Sequence, residues 1–271
     1  MSRDAWSEKM ARALQFDVWC DFADIVVGKH RLFLIDGDPA KLSEGVSETA
    51  AILPGHYASE KHIARVFDRL RKAAAAKLIR QKLPTSKTMR SGDLGEIFAT
   101  EWINSHSGGY FAPVKRLRWK DHRDLAMRGE DVIAIRKDPQ SGWLQFLKTE
   151  AKSRAMLSSS VIADARDGLD KDMGLPSAHA LAFISARLIE IGDCELADAI
   201  DDALLKFCIS PQDVRHLMFV LSGSNPERML TTSLKNYKGT IPQWGVGLRI
   251  NDHVKFVGTV YDQVIANGDN D

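Results

Sequence analysis

The sequence predicts an α/β chain: a mixed central sheet flanked by helices, with an N-terminal α/β extension. Two apolar runs, Val132 to Ile135 and Trp143 to Leu147, are separated by a stretch of turn formers from Lys137 to Gly142, which reads as a β-hairpin. Segments with apolar residues at helical spacing surround them. With 271 residues, of which 44% are apolar and 27% charged, the chain can bury a sizeable core.

Residues 1–85 read as an N-terminal α/β region suited to holding a partner or to regulation. Asp24 to Val27 and Arg31 to Ile35 are strand candidates around a turn at Gly28, and a second turn falls at Asp36-Gly37-Asp38-Pro39. A long basic helix follows. Ile63, Val66, Phe67 and Leu70 recur on one side of it, which predicts an inward face and a basic outward face. Lys82 to Ser91, with Pro84 and several hydroxyl residues, is the expected linker to a second region, 90–271.

In that second region a helix is expected from near Gly92, a strand over Tyr110 to Val114, and then the hairpin. Helices are expected over Ser158 to Met173, from near Pro176, and over Cys194 to Phe207. Arg215 to Leu221 reads as a late strand and Trp244 to Ile250 as an edge strand. Cys20, Cys194 and Cys208 have no metal-ligand spacing; the last two read as small core residues, and the odd number fits a reducing cytoplasm. No run of about 18 apolar residues exists, which argues against a membrane span.

Chemistry concentrates on the hairpin. Residues on a strand point alternately to opposite faces, so Glu150 and Lys152 share a face while Ala151 turns away. Asp131, at the start of the neighbouring strand, comes beside them. Two carboxylates are the minimum protein set for a hard cation such as Mg²⁺, or Mn²⁺ in its place, and Lys152 falls next to a water held there. An exposed charge pair is the competing reading, but strands this apolar leave an unpaired carboxylate costly. A further carboxylate lies upstream in Ser91-Gly92-Asp93-Leu94-Gly95-Glu96, on a helix that is apolar nearly all round. At about 100° per residue Glu96 falls opposite Leu94, Ile97, Phe98 and Trp102, and Glu101 is a rival for the same role.

The order helix Glu96, strand Asp131, and Glu150-Ala151-Lys152 resembles the PD-(D/E)xK nuclease superfamily, although Glu130 precedes Asp131 where the superfamily name has a proline. More narrowly, Gly92 to Glu96, Arg128-Gly129-Glu130-Asp131 and Glu150 to Ser153 resemble the HamA family, nuclease subunits of Hachiman-type antiphage defence systems. The resemblance implies a restriction-endonuclease-like core and a metal-dependent deoxyribonuclease restrained by a helicase partner. It also implies that Asp131, Glu150 and the Ala151 carbonyl hold Mg²⁺, that Lys152 orients the attacking water, and that Glu96 helps place water or a second ion.

The formal net charge is only +1, so attraction to DNA must come from local clusters. From Lys61 to Arg90 there are ten basic residues against one acid, Asp68, a local sum of +9. A second cluster carries Lys115, Arg116, Arg118, Lys120 and Arg123; its position just before Asp131 makes Arg116, Arg118 and Lys120 the expected DNA contacts. Two functional classes remain open: an active nuclease effector, or a non-catalytic DNA-binding or scaffold subunit in which the acids are charge pairs. A stand-alone restriction endonuclease would need base-specific contacts, and the sequence names none.

Overall fold

The computed structural model describes residues 13–269; residues 1–12 of the N-terminal region lie outside them. Six strands form one sheet in the order β1-β2-β6-β5-β4-β3. They are β1 (Cys20–Val27), β2 (His30–Gly37), β3 (Val132–Lys137), β4 (Leu144–Arg154), β5 (Val214–Ser222) and β6 (Gln243–Arg249). The outer pairs β1/β2 and β3/β4 are antiparallel hairpins, and β2/β6, β6/β5 and β5/β4 are parallel. The expected mixed sheet is therefore present.

Strand alternation divides the core. Leu217, Phe219 and Leu221 of β5 face one side, covered by α1 (Leu42–Tyr57), α3 (Lys87–His106) and α8 (His253–Asp269). Met218 and Val220 face the other side, against α4 (Ser159–Asp170) and α7 (Glu227–Asn236). On that second side α5 (Ala178–Ile191) and α6 (Cys194–Asp202) cover Ile133, Ile135 and Phe146. The N-terminal strands join this architecture through β2 pairing with β6, and Trp19 stacks on Phe256 of α8 at 5.6 Å. Among the described residues no helix is long and apolar enough to cross a membrane.

Several elements depart from the sequence reading. Trp244 to Arg249 is a central strand, flanked by β2 and β5, rather than an edge. Gly245 and Gly247 weaken its apolar pattern, yet they let α7 close on the sheet: a Cβ on Gly247 would lie 2.4 Å from Pro226. Val132 to Ile135, apolar enough for a central strand, is an edge strand, buried because helices cover both its faces. The strand expected over Tyr110 to Val114 reduces to one bridge, Phe111 to Ile135, with N–H to O distances of 3.0 and 2.8 Å. Pro113 has no N–H to extend it.

Helix α2 (Glu60–Lys82) is interrupted at Arg71, where φ is 68°. Before that break its apolar side packs inward only in part: Ile63 lies against the core and Val66 is half-buried, but Phe67 is 46% and Leu70 59% exposed, and the helix buries Ala75 and Ile79 after it. The expected linker is a tight turn, with Leu83 buried and Asp124 accepting from the Thr85 N–H at 2.7 Å and the Ser86 N–H at 3.1 Å. Ser86 then caps α3, which starts at Lys87 rather than Gly92. The last expected helix runs only to Asp202 before a wider turn over Ala203–Phe207. Cys194 and Cys208, at its two ends, are exposed rather than core residues; Cys20 alone of the three is buried.

Candidate active site

Helix α3 carries three buried acids, Asp93, Glu96 and Glu101. A buried carboxylate is costly unless paired, and segment 115–120 supplies the partners. Lys120 Nζ meets Asp93 at 2.7 and 2.8 Å, Arg116 Nε meets Glu96 at 2.8 Å, and Lys115 Nζ meets Glu101 at 2.9 Å. Arg118, between them, donates to the Gly55 carbonyl at 2.8 Å. The four cations thus fasten their segment to α1 and α3. Arg116, Arg118 and Lys120, expected to reach outward to phosphate, are directed inward, Arg116 and Lys120 to the acids of α3 and Arg118 to a carbonyl of α1.

Glu101 separates from the hairpin acids. It also accepts from the Leu14 N–H at 3.0 Å and from the buried His56 at 2.7 Å, and against the upward push of burial the His56 hydrogen bond and the Lys115 ammonium hold its carboxyl down at about 2 from an ordinary 4.5. A carboxyl depressed in the fold contributes stability that is present above the unfolded value and lost as pH falls from about 4.5 to about 2. That contribution is about 3 kcal/mol. Urea unfolding of the wild type and Glu101→Gln should therefore show a large stability difference at neutral pH that shrinks towards pH 2; a difference independent of pH would remove Glu101 from this role.

Glu96 belongs to the hairpin cluster. Arg116 bridges the two: beyond Glu96, its guanidinium lies 3.8 Å from Asp131 Oδ1, donates to the Met127 carbonyl at 3.4 Å and makes a short bond to the Glu130 carbonyl. The register of β3 on β4, Val132 opposite Thr149, sets Asp131 across from Glu150. Asp131 Oδ2 accepts from the Ala151 N–H at 2.8 Å, so Ala151 meets the site through its backbone. Lys152 Nζ contacts Glu150 Oε1 at 2.6 Å, which fulfils the same-face geometry. Two glycines allow this closeness. A Cβ on Gly95 would lie 3.1 Å from Ser153 Cβ, and one on Gly168 of α4 would lie 2.6 Å from Glu150 Cδ.

The structure brings Glu96, Asp131, Glu150, Ala151 and Lys152 into one charged cluster. Burial pushes Glu96 up to about 8, with Asp131 and Asp93 adding repulsion against the pull of Arg116. Burial likewise raises Asp131 and Glu150, and Asp131 raises Glu150 further by repulsion. Such a pair gains from an added cation. Among the described residues no three His, Cys, Asp or Glu side chains converge tightly enough to hold a metal by themselves. Two facing carboxylates completed by backbone oxygen and water is the set Mg²⁺ accepts, so the donors fit.

Asp131 opens onto a cavity of about 690 Å³. Arg128 and Arg187 line it beside Arg116 and Lys120, whose charges the helix acids already take, and these two arginines are the cations placed to meet phosphate. Sequence reasoning missed Arg116 as the clamp between Glu96 and Asp131, and missed Arg128 and Arg187 as wall residues. Arg128 stood in the quoted motif beside Asp131; Arg187, on α5, carried no such signal.

Fold and cluster together define a mixed α/β protein with a half-buried carboxylate and lysine site on the antiparallel hairpin of its sheet. A family model described as HamA matches residues 14–264. The Hachiman protein HamA of Bacillus cereus is 25% identical over 244 residues, covering 88% of this chain and 85% of that protein. The chain belongs to the HamA family.

Proposed function

We propose that the chain is a Mg²⁺-dependent deoxyribonuclease of PD-(D/E)xK type, the effector of a Hachiman-type antiphage defence complex restrained by a helicase partner. The observation that carries the chemistry is the facing pair Asp131 and Glu150, raised by burial and mutual repulsion, with the Lys152 ammonium 2.6 Å from Glu150. Membership of the HamA family and likeness to a Hachiman protein support the biological setting.

Asp131, Glu150 and the Ala151 carbonyl would hold the cation, which supplies charge neutralisation at the scissile phosphate and a lowered water pKa. Lys152 donates to the attacking water and offsets charge growing on the phosphorus oxygens. Arg116 fixes Asp131 and Glu96 relative to each other. Glu96, with its proton affinity raised to about 8, accepts or holds a proton near the nucleophile at mildly alkaline pH. The cationic cavity beside Asp131 receives the phosphate backbone. Labelled DNA incubated with the partner-bound complex should be cut in Mg²⁺ and left whole in EDTA; cutting unaffected by EDTA would reject the metal-dependent mechanism.

Gly168→Ala tests the site without touching a charged group. Alanine favours a helix over glycine by about 0.5–1 kcal/mol, but the new methyl meets the Glu150 carboxylate, which must move. Cleavage should fall by about tenfold or more while the melting temperature holds or rises; unchanged cleavage would show that the Glu150 position is irrelevant.

The second reading is a non-catalytic scaffold. In its favour, Lys152 already neutralises Glu150, and Arg116 neutralises Glu96. The EDTA experiment separates the two readings, since a scaffold cuts in neither condition.

A further inference from the structure

A second cavity, of about 980 Å³, lies between α4, α7 and the loop 238–241, apart from the carboxylate site. Two of its lining residues, Arg166 and Gly174, are bonded to a buried polar row that crosses the sheet behind it. Lys148 of β4 is in register with His216 of β5, His216 is in register with Gln243 of β6, and the Gln243 N–H donates to His30 of β2 at 3.2 Å. All four are buried. His216 Nε2 donates to the Gly174 carbonyl at 2.7 Å, so its Nδ1 accepts from Gln243 Nε2 at 2.9 Å. Gln243 therefore turns its oxygen to Arg166, which makes a short bond to it.

Arg166 is the unusual member. Its guanidinium sits over the Tyr237 ring at 4.7 Å, and its other hydrogen-bond partner is the neutral Ser233 hydroxyl at 3.4 Å. Among the described residues it forms no ion pair with a carboxylate. Its hydrogen bonds go to neutral partners and the Asp170 carboxylate acts on it only through space, so this half-buried guanidinium keeps donors for an anion. Arg228 and Lys238 add two cations to the lining, against the single acid Asp170. Ile162, Met229 and Ile241 supply an apolar wall.

The cavity edge is conformationally strained. Asp172, Met173 and Gly174 have consecutive φ values of 54°, 56° and 79°, which side chains other than glycine rarely adopt. Lys148 pins this loop from below, donating to the Lys171 carbonyl at 2.6 Å and the Leu175 carbonyl at 2.9 Å. Met173 is left 88% exposed at the cavity. Strain sustained by surrounding bonds is typical of a ligand clamp.

We propose that this cavity binds a phosphorylated nucleoside, with the phosphate on Arg166, Arg228 and Lys238 and the nucleoside against the apolar wall. Its size lies in the range of pre-formed small-molecule sites. The same chemistry is presented by a free nucleotide and by one unit of a single strand. The site stands independently of the cleavage reading, because none of its residues belongs to the carboxylate cluster.

Isothermal titration of the full chain with AMP, ATP, inorganic phosphate and a short oligo-dT, without divalent metal, tests it. Nucleotide or oligonucleotide should bind more tightly than inorganic phosphate. Tighter binding of AMP or ATP assigns a free nucleotide, and tighter binding of oligo-dT assigns a strand. The exposed double variant Arg228→Glu with Lys238→Glu should weaken binding at least about tenfold with an unchanged melting temperature in the absence of ligand. Arg166→Lys, which keeps the charge and loses the fork, should weaken it too. No binding at millimolar nucleotide, binding of phosphate as tight as of nucleotide, or unaltered affinity of the double variant would overturn the proposal. Repeating the titration in Glu150→Ala should leave affinity unchanged, which separates this site from the cleavage site.

Discussion

Replacing Lys152 with alanine is expected to lower DNA cleavage by the partner-bound complex by about 10²–10⁴-fold, the range for a positioned proton-transfer group. The ammonium sits 2.6 Å from Glu150, on the strand face that Asp131 adjoins. In the proposed mechanism alanine removes the donor to the nucleophile and the charge that stabilises the transition state together. It also leaves Glu150 with Asp131 as a repelling neighbour and Lys171 as a more distant cation. The fold should survive, because Lys152 lies on a strand whose ladder to β5 does not need its side chain. Lys152→Arg keeps the charge but replaces a compact ammonium with a planar fork, and should recover only part of the loss. Cleavage by the alanine variant at the wild-type rate, with circular dichroism unchanged, would remove Lys152 from the chemistry.

Arg116→Met should have the largest effect on stability, about 3–5 kcal/mol, the usual result of removing one partner of a buried ion pair. Its guanidinium serves Glu96 at 2.8 Å and Asp131 at 3.8 Å, and three peptide carbonyls of the 127–130 turn besides. The loss should depend on pH. Glu96 is already raised to about 8 in the fold; without Arg116 it rises further, so the native state holds a proton that the unfolded chain has released. Stability then falls as pH rises between those two values, and the variant's deficit should be greater at pH 9 than at pH 6. Adding Glu96→Gln should restore part of it. Urea titrations of the single and double variants measure this. A deficit below about 1 kcal/mol, accompanied instead by a shallower salt dependence of DNA binding, would mean that Arg116 faces DNA as its position in a basic stretch first suggested.

That contrast shows where the sequence was legible. Alternation along one strand is a local property, so the shared face of Glu150 and Lys152 could be read directly, and the turn formers at Lys137 to Gly142 brought Asp131 alongside. The pairing of segment 115–120 with α3 is a contact between distant stretches. Four charges in the six residues from Lys115 read as a surface, when three of them answer the buried acids Asp93, Glu96 and Glu101. Periodicity left Glu96 and Glu101 as rivals; their separate partners, Arg116 for one and His56 with Lys115 for the other, distinguish them. Position within the sheet was equally obscure. Gly245 and Gly247 made a central strand resemble an edge, while helices on both faces made the edge strand β3 resemble a central one. The break at Arg71 had no signature, since arginine rarely adopts a positive φ, and it undid the inward face expected for Phe67 and Leu70.

The central claim is that Asp131 and Glu150 create a place for a divalent cation, and Mn²⁺ binding followed by the electron paramagnetic resonance of the free ion tests it most directly, without needing an activated complex. The account predicts one tightly bound Mn²⁺ per chain, displaced by Mg²⁺ and lost in Asp131→Asn with Glu150→Gln. A folded wild-type chain that binds no Mn²⁺ at millimolar concentration, or a double variant that binds it equally well, would contradict the account.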